Sequence, residues 1–471
     1  MQKEIKLYTG ILTYKDVEFS FVFDESELRL IPPKEMEGKI QLEWLMSPLG
    51  NGVYAMGETL IMEEPFLVGR CHENGNKIIF ITKQGSNIGS QNYVIFIDLA
   101  AYIICKYDRE KIDRISFSSP EINCIHPINQ AYDYSFDLDN SGIIKITTKD
   151  YASTTTETQK FMVDGIEISA RFGVSRGFST KINEAPLSLN SSFMFEFEAT
   201  DNYQFLHRLW RIAKSFIQFL CYRKNVCISQ ADLSSPYEGG KHEQFAILYI
   251  IGENTEADTY SLQNRRYIKQ QYIAGAEGKI LSDIAVDMIY TRHIPDSYKA
   301  GRHIDAARFV MITAAFEWEY HRTNPEGVPR SQSRIDAETN VQNSIQEQIN
   351  NSAGKTREIY KRLYKLIKTD SLQNEIKQIG DDFVEIIDVF GKHLYGMNKE
   401  ELIYSDMGKR IADQRNHFAH GDLDKEFIGL SLLDLIFMEY IIYAMQLKHY
   451  DIDNKEIQRA VNELFRCGIA I

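Results

Sequence analysis

Two hydrophobic rhythms divide the chain near residue 290. In the first two hundred residues apolar and polar side chains alternate, as in Val17-Glu18-Phe19-Ser20-Phe21-Val22-Phe23, Ile144-Lys145-Ile146-Thr147 and Phe193-Met194-Phe195-Glu196-Phe197. Period-two alternation rich in β-branched and aromatic residues predicts strands with one buried face. Gly50-Asn51-Gly52, Asn74-Gly75-Asn76 and Asp139-Asn140-Ser141-Gly142 supply turns between them. A twisted antiparallel sheet or sandwich is the expected result.

After Thr200 the spacing becomes helical, with Phe205, Leu206, Leu209, Trp210, Ala213, Phe216, Ile217 and Leu220 on one face. Asp201 is the expected N-cap, and Arg223-Lys224 suit the C-terminal end of the dipole. Strand-like runs at 225–229 and 244–251 carry the β part to about residue 290. From 292 onward the pattern predicts helices over 300–322, 356–367, 381–390, 400–419 and 425–447, and a short one over 455–465. Such helices form a bundle. The polar stretch 324–355, with Pro325, Gly327 and Pro329, reads as a long loop or insertion. The fold class is therefore α+β: an antiparallel β-rich part with a packed helix over 1–290, and an all-α bundle over 292–471.

Composition narrows the function classes. The 471 residues are 44% hydrophobic and 25% charged, enough for two or three domains with a sizeable core. A net charge of −13 excludes a general coat for nucleic acid or anionic membrane, and leaves room for a local basic site. The helical part is the less acidic half. No apolar run reaches ~18 residues, so no membrane-spanning helix is expected. The start, MQKEIKLYTG, lacks the apolar core of a signal peptide. Six scattered cysteines without a C-x-x-C pair fit a reduced, cytoplasmic setting with neither disulfide framework nor zinc cluster. No cofactor or metal is expected.

Several short motifs fail on context. Gly173-Val174-Ser175-Arg176-Gly177 matches G-x-S-x-G, but a polar, proline-containing segment follows instead of the helix a nucleophile elbow needs; a β-turn is expected there. Gly354-Lys355-Thr356 lacks the first glycine and the preceding strand of a P-loop. Cys124 and His126 have no second ligand pair.

The segment Lys409 to Asp422 carries chemistry. Between Lys409 and His420 it holds Arg410, Arg415 and His417 as well. Histidine titrates near neutral pH, and arginine forks onto phosphate. Together they supply what phosphodiester cleavage of RNA requires: a proton shuttle and a permanent charge for the transition state. Arg415 and His420 would point about 140° apart on an unbroken helix, so the helix must end or bend between them, and Gly421 is a natural residue at such an end. Capping of the last helical turn explains the same residues without catalysis, and the residues alone leave both readings open. A second basic run, Lys355, Arg357, Lys361, Arg362, Lys365 and Lys368, includes Tyr360 and Tyr364. It suits phosphate neutralisation with base stacking on single-stranded RNA. It is equally an amphipathic helix whose Ile359, Leu363, Leu366 and Ile367 face a core.

Arg415-Asn416-His417-Phe418-Ala419-His420 resembles the R-x(4–6)-H signature of HEPN-family ribonucleases, on a helix near the C-terminus of a bundle. The order of parts resembles ApeA-like anti-phage defence proteins. The resemblance implies a metal-independent endoribonuclease acting in abortive infection, on host or phage RNA, tRNA included, and leaving a 2′,3′-cyclic phosphate. It implies that Arg415 binds the scissile phosphate, that His420 is general acid or base, and that Asn416 orients one of them. An acid from an earlier helix is expected, with Glu317 preferred to Glu319 because it borders the stripe Phe309, Thr313, Phe316 and Tyr320. His417, Arg410, Lys361 and Lys365 are candidate substrate-binding residues. A homodimer is implied, and a phage-derived trigger sensed by the β part. Two other readings remain: a non-catalytic HEPN module that binds RNA, nucleotide or a partner, and a carbohydrate-binding or hydrolytic β domain with a helical tail.

Overall fold

The computed structural model describes every residue except 1–5, 45, 51–52, 57–60, 92, 138–142, 368–369, 422–426 and 428. The turn 139–142 and most of the turn 50–52 thus lie outside the described residues, as does Lys368. The chain divides into two compact units, Met1–Gln263 with Lys269–Val286, and Asn264–Ile268 with Asp287–Ile471.

The first unit is built on an antiparallel sheet, fourteen-stranded among the described residues. Val17–Phe23 is one of its strands, and alternation buries Phe19, Phe21 and Phe23. Leu187–Thr200 pairs along its length with Ile166–Phe178. Helix α1, Tyr203–Cys221, buries Phe216 against Phe193, which stacks in turn on Phe172.

Four expectations change here. The cap of α1 is Asn202 rather than Asp201: its side chain accepts from the Phe205 amide at 3.1 Å. Arg223 lies past the helix end, where it is buried and paired with the buried Glu121 at 2.8 Å rather than with the dipole. Residues 225–229 are not a strand. Their apolar side chains are buried, but their backbone goes elsewhere: the Ile228 carbonyl accepts from Trp210 Nε1, and the Cys227 amide donates to Glu121. The G-x-S-x-G segment is strand interior rather than turn. Ser175 sits in Ile166–Phe178 and its hydroxyl donates to the Asn190 carbonyl at 3.0 Å. His126 is buried, with Nε2 2.9 Å from the Thr154 carbonyl, and burial pushes its pKa down.

The second unit is all-helical among the described residues. Helix α2, Ala306–Thr323, starts at the cap Asp305, and a separate turn, Tyr298–Gly301, precedes it where one longer helix was expected. Its stripe Phe309, Thr313, Phe316 and Tyr320 is buried. The stretch read as a loop is a helix, α3, Gln332–Asn351, capped by Ser331. Its polar residues have i,i+4 partners, as in Arg334 to Glu338 and Gln332 to Asp336, and only Ile349 is buried. Helix α4 is Gly354–Leu366, and a helix absent from the prediction, α5, covers Leu372–Asp382. Helices α6, Val384–Met397, α7, Tyr404–Ala419, α8, Ser431–His449, and α9, Asn454–Phe465, complete the bundle. Helix α8 is its axis, buried on nearly every face.

Two glycines let α7 reach α5. A Cβ on Gly408 would stand 2.7 Å from the Gln373 carbonyl oxygen, and one on Gly380 would run into the Tyr404 ring. Gly408→Val is expected to force the two helices apart, at a cost of about 1–3 kcal/mol. A thermal melt checks this; an unchanged Tm would show that the joint yields freely.

Candidate functional site

Helix α7 positions the Arg/His motif. Met407, Ile411, Gln414 and Phe418 are buried and turn the opposite face outward. The helix ends at Ala419. His420 is its C-cap, with the amide still bonded to the Asn416 carbonyl at 3.0 Å, and Gly421 follows at φ +94°. That conformation suits glycine and stops the helix directly after His420. The His420 side chain is exposed and, among the described residues, accepts and donates no hydrogen bond. Asn416 is exposed too, and His417 is half-buried in the last turn.

Arg415 is half-exposed. Its Nη2 lies 3.3 and 3.5 Å from the two carboxylate oxygens of Glu317 on α2. Of the two acids weighed in the sequence, Glu317 therefore faces the motif. Glu319 points away: it is buried, accepts from Gln446 at 3.0 Å and pairs with Arg322 at 3.2 Å, and burial raises its pKa. The register of α2 explains the split, since two residues along a helix turn the side chain by about 200°.

Arg410 is committed elsewhere. It forks onto Asp434 of α8 with two hydrogen bonds of 2.7 Å, and the Tyr395 hydroxyl donates to the same carboxylate. Asp434 is fully buried. The pair joins α7 to the bundle axis. Lys361 and Lys365 stand on α4, apart from the motif. With Arg357, Arg362 and Tyr364 they line a groove of about 620 Å³ between α3 and α4. The apolar residues of α4 expected to face a core do not: Ile359, Leu363 and Leu366 are all exposed, and none of its described residues is buried.

Sequence reasoning missed one residue. Glu375 on α5 is buried, and its Oε2 has no hydrogen-bond partner among the described residues. Burial, and then the Glu317 and Asp370 charges, push its pKa up to about 7, against the opposing pull of Arg415. The available signal was an acid inside an apolar stripe, Leu372, Glu375, Ile376 and Ile379. A carboxyl whose pKa rises on folding binds more protons folded than unfolded between its ordinary value and about 7. Stability therefore falls as pH climbs through that window and stays lower above it. Glu375→Gln is expected to raise stability near pH 8 by about 2 kcal/mol and to change it little near pH 4. Denaturant titrations at both pH values check this; equal stability at about pH 8 would mean that the carboxylate finds a partner.

Arg415 and Glu317 thus form an ion pair whose charges reach the buried Glu375, with His420 at the end of the same helix as Arg415. An arginine there can take a phosphate oxygen in exchange for a carboxylate, and a solvent-facing histidine can move a proton. Among the described residues no helix is long and apolar enough to cross a membrane, and no group of three or more His, Cys, Asp or Glu is arranged to hold a metal ion. Searches of protein-family models, curated proteins and solved structures return no match for the chain.

Proposed function

We propose that the protein is a HEPN-type endoribonuclease that cleaves RNA without a metal ion, as an anti-phage defence enzyme. The observation that carries this reading is the Arg415–Glu317 pair at the C-terminal end of α7, beside a solvent-facing His420. In the reaction, Arg415 leaves Glu317 for a non-bridging phosphate oxygen. The substrate 2′-oxygen attacks phosphorus and loses its proton to a base. The P–O5′ bond breaks, and the leaving 5′-oxygen receives a proton. His420 serves one of these proton transfers, and Asn416 orients the phosphate or the imidazole. The products are a 2′,3′-cyclic phosphate and a 5′-hydroxyl. A homodimer would face two such sites across one cleft, and the β-rich unit would sense the phage-derived trigger.

The test is incubation of the purified protein with total bacterial RNA in EDTA, followed by analysis of fragment ends. Cyclic-phosphate ends made by wild type and not by Arg415→Ala or His420→Ala support the reading. Equal cleavage by all three would overturn it.

The groove between α3 and α4 gives the RNA a holding surface. Lys361→Ala and Lys365→Ala are each expected to lower the slope of log affinity against log salt by about 0.7–1, and to weaken all RNA sequences alike. Salt-dependent binding of single-stranded RNA measures this; unchanged slopes would remove α4 from the substrate path.

A second reading is a non-catalytic module that binds RNA, nucleotide or a partner through the basic groove between α3 and α4. Tight RNA binding without cleavage under any trigger would distinguish it.

A further inference from the structure

Glu375 lies outside the Arg/His motif, a buried acid on a helix, α5, that packs against both α7 and α2. Its helical neighbours Ile376 and Ile379 are buried. A buried acid with an unpartnered oxygen is unfavourable in such a joint, where an aliphatic residue would serve packing better. The charged groups that act on it are Glu317 from α2, Asp370 just before α5 and Arg415 from α7. Tyr320 of α2 senses its charge and donates to Gln378 at 2.6 Å. Two acids of the adjoining α6 are engaged elsewhere: Glu385 accepts from Asn454, and Asp388 pairs with Lys392.

We propose that Glu375 is a positioning residue that sets the charge balance at Arg415. As a neutral acid it leaves Arg415 a single carboxylate partner, Glu317, which an incoming phosphodiester can replace. As a carboxylate it holds the guanidinium between two anions and repels the phosphate. RNA binding is then linked to protonation of Glu375: the arriving phosphate strengthens its hold on a proton, and deprotonation weakens the hold on RNA. The inference rests on the reading of Arg415 as the phosphate-binding group.

The deciding experiment uses the full chain as wild type, Glu375→Gln, Arg415→Ala and the double variant. The probe is a single-stranded 2′-O-methyl RNA oligonucleotide, whose blocked 2′-oxygen cannot attack. Fluorescence anisotropy follows affinity from about pH 6 to about pH 8.5 at constant ionic strength, a range that spans the shifted acid. His417 and His420 are common to wild type and Glu375→Gln, so the difference between those two isolates residue 375. Wild type is expected to lose about tenfold more affinity than Glu375→Gln across this range, as one ionisation coupled to binding dictates. Arg415→Ala is expected to bind weakly throughout, with no further effect of residue 375. Parallel profiles for wild type and Glu375→Gln would overturn the proposal. So would an equal gain from Glu375→Gln in the Arg415→Ala background, since the effect would then bypass Arg415.

Thermal unfolding of the same four proteins supplies a readout independent of RNA. A coupling between positions 375 and 415 that grows as pH rises through about 7 supports the proposal. No coupling, with RNA binding still dependent on Arg415, would overturn the Glu375 role alone. Coupling with RNA binding indifferent to Arg415, or no RNA binding by any variant, would overturn the reading of Arg415 and the proposal with it.

Discussion

Arg415→Ala and His420→Ala are each expected to reduce RNA cleavage by about 10²–10⁴-fold while leaving the protein folded. The geometry separates the two effects. Arg415 is half-exposed and pairs only loosely with Glu317, and His420 is exposed beyond the last helical turn. Measured at about pH 6, below the raised pKa of Glu375, removal of either should change stability by no more than about 0.5 kcal/mol. Activity lost at an unchanged Tm is therefore the signature of a chemical role. The double variant should lose little more than the worse single one, because groups that act on one transition state are not additive. Single-turnover cleavage with end analysis, alongside thermal melts, measures both. Lost activity with an equally large fall in Tm would mean that the two residues are helix-end caps.

Arg410→Ala should behave in the opposite way. Its loss strands the fully buried Asp434 with only the Tyr395 hydroxyl, and breaking a buried pair from one side costs about 3–5 kcal/mol. The helix carrying the motif would loosen from α8, so cleavage would fall with stability. Arg410→Met combined with Asp434→Leu should restore much of the stability, since no charge is then left buried. A fall in RNA affinity for Arg410→Ala at full stability would instead place Arg410 on the substrate. The two variants together distinguish arginines only five residues apart on one helix.

What was legible in the sequence follows from the range of the interactions involved. Strand alternation at Val17–Phe23 and the helical stripe of α2 are local, and the structure has them where the pattern placed them. The choice of Glu317 over Glu319 came from its position at the edge of that stripe, again local information. The Arg410 pair was not legible because its partner lies 24 residues away, an acid inside the apolar run Leu432-Leu433-Asp434-Leu435. Glu375 was missed because its helix was not foreseen, and because an acid at a core position reads as exposed until neighbouring helices close over it. The helix α3 escaped because its polar residues satisfy one another along a single helix and leave almost no apolar face to read.

The order of strands in the large sheet bears on how the protein is made. Leu99–Cys105 lies between Lys77–Thr82 and Lys241–Ile250, and its second edge is closed by pairs such as Ala101 with Ile250 and Cys105 with Ala246. At ordinary translation speed the ribosome needs on the order of ten seconds to supply that partner. During this interval a strongly apolar strand presents an open edge, the kind that recruits strands from other chains. Chaperone supply and growth temperature should therefore govern the yield of intact protein more than its final stability does. Fragments ending before about residue 240 would keep the edge open permanently, and should aggregate even though most of the sheet is present.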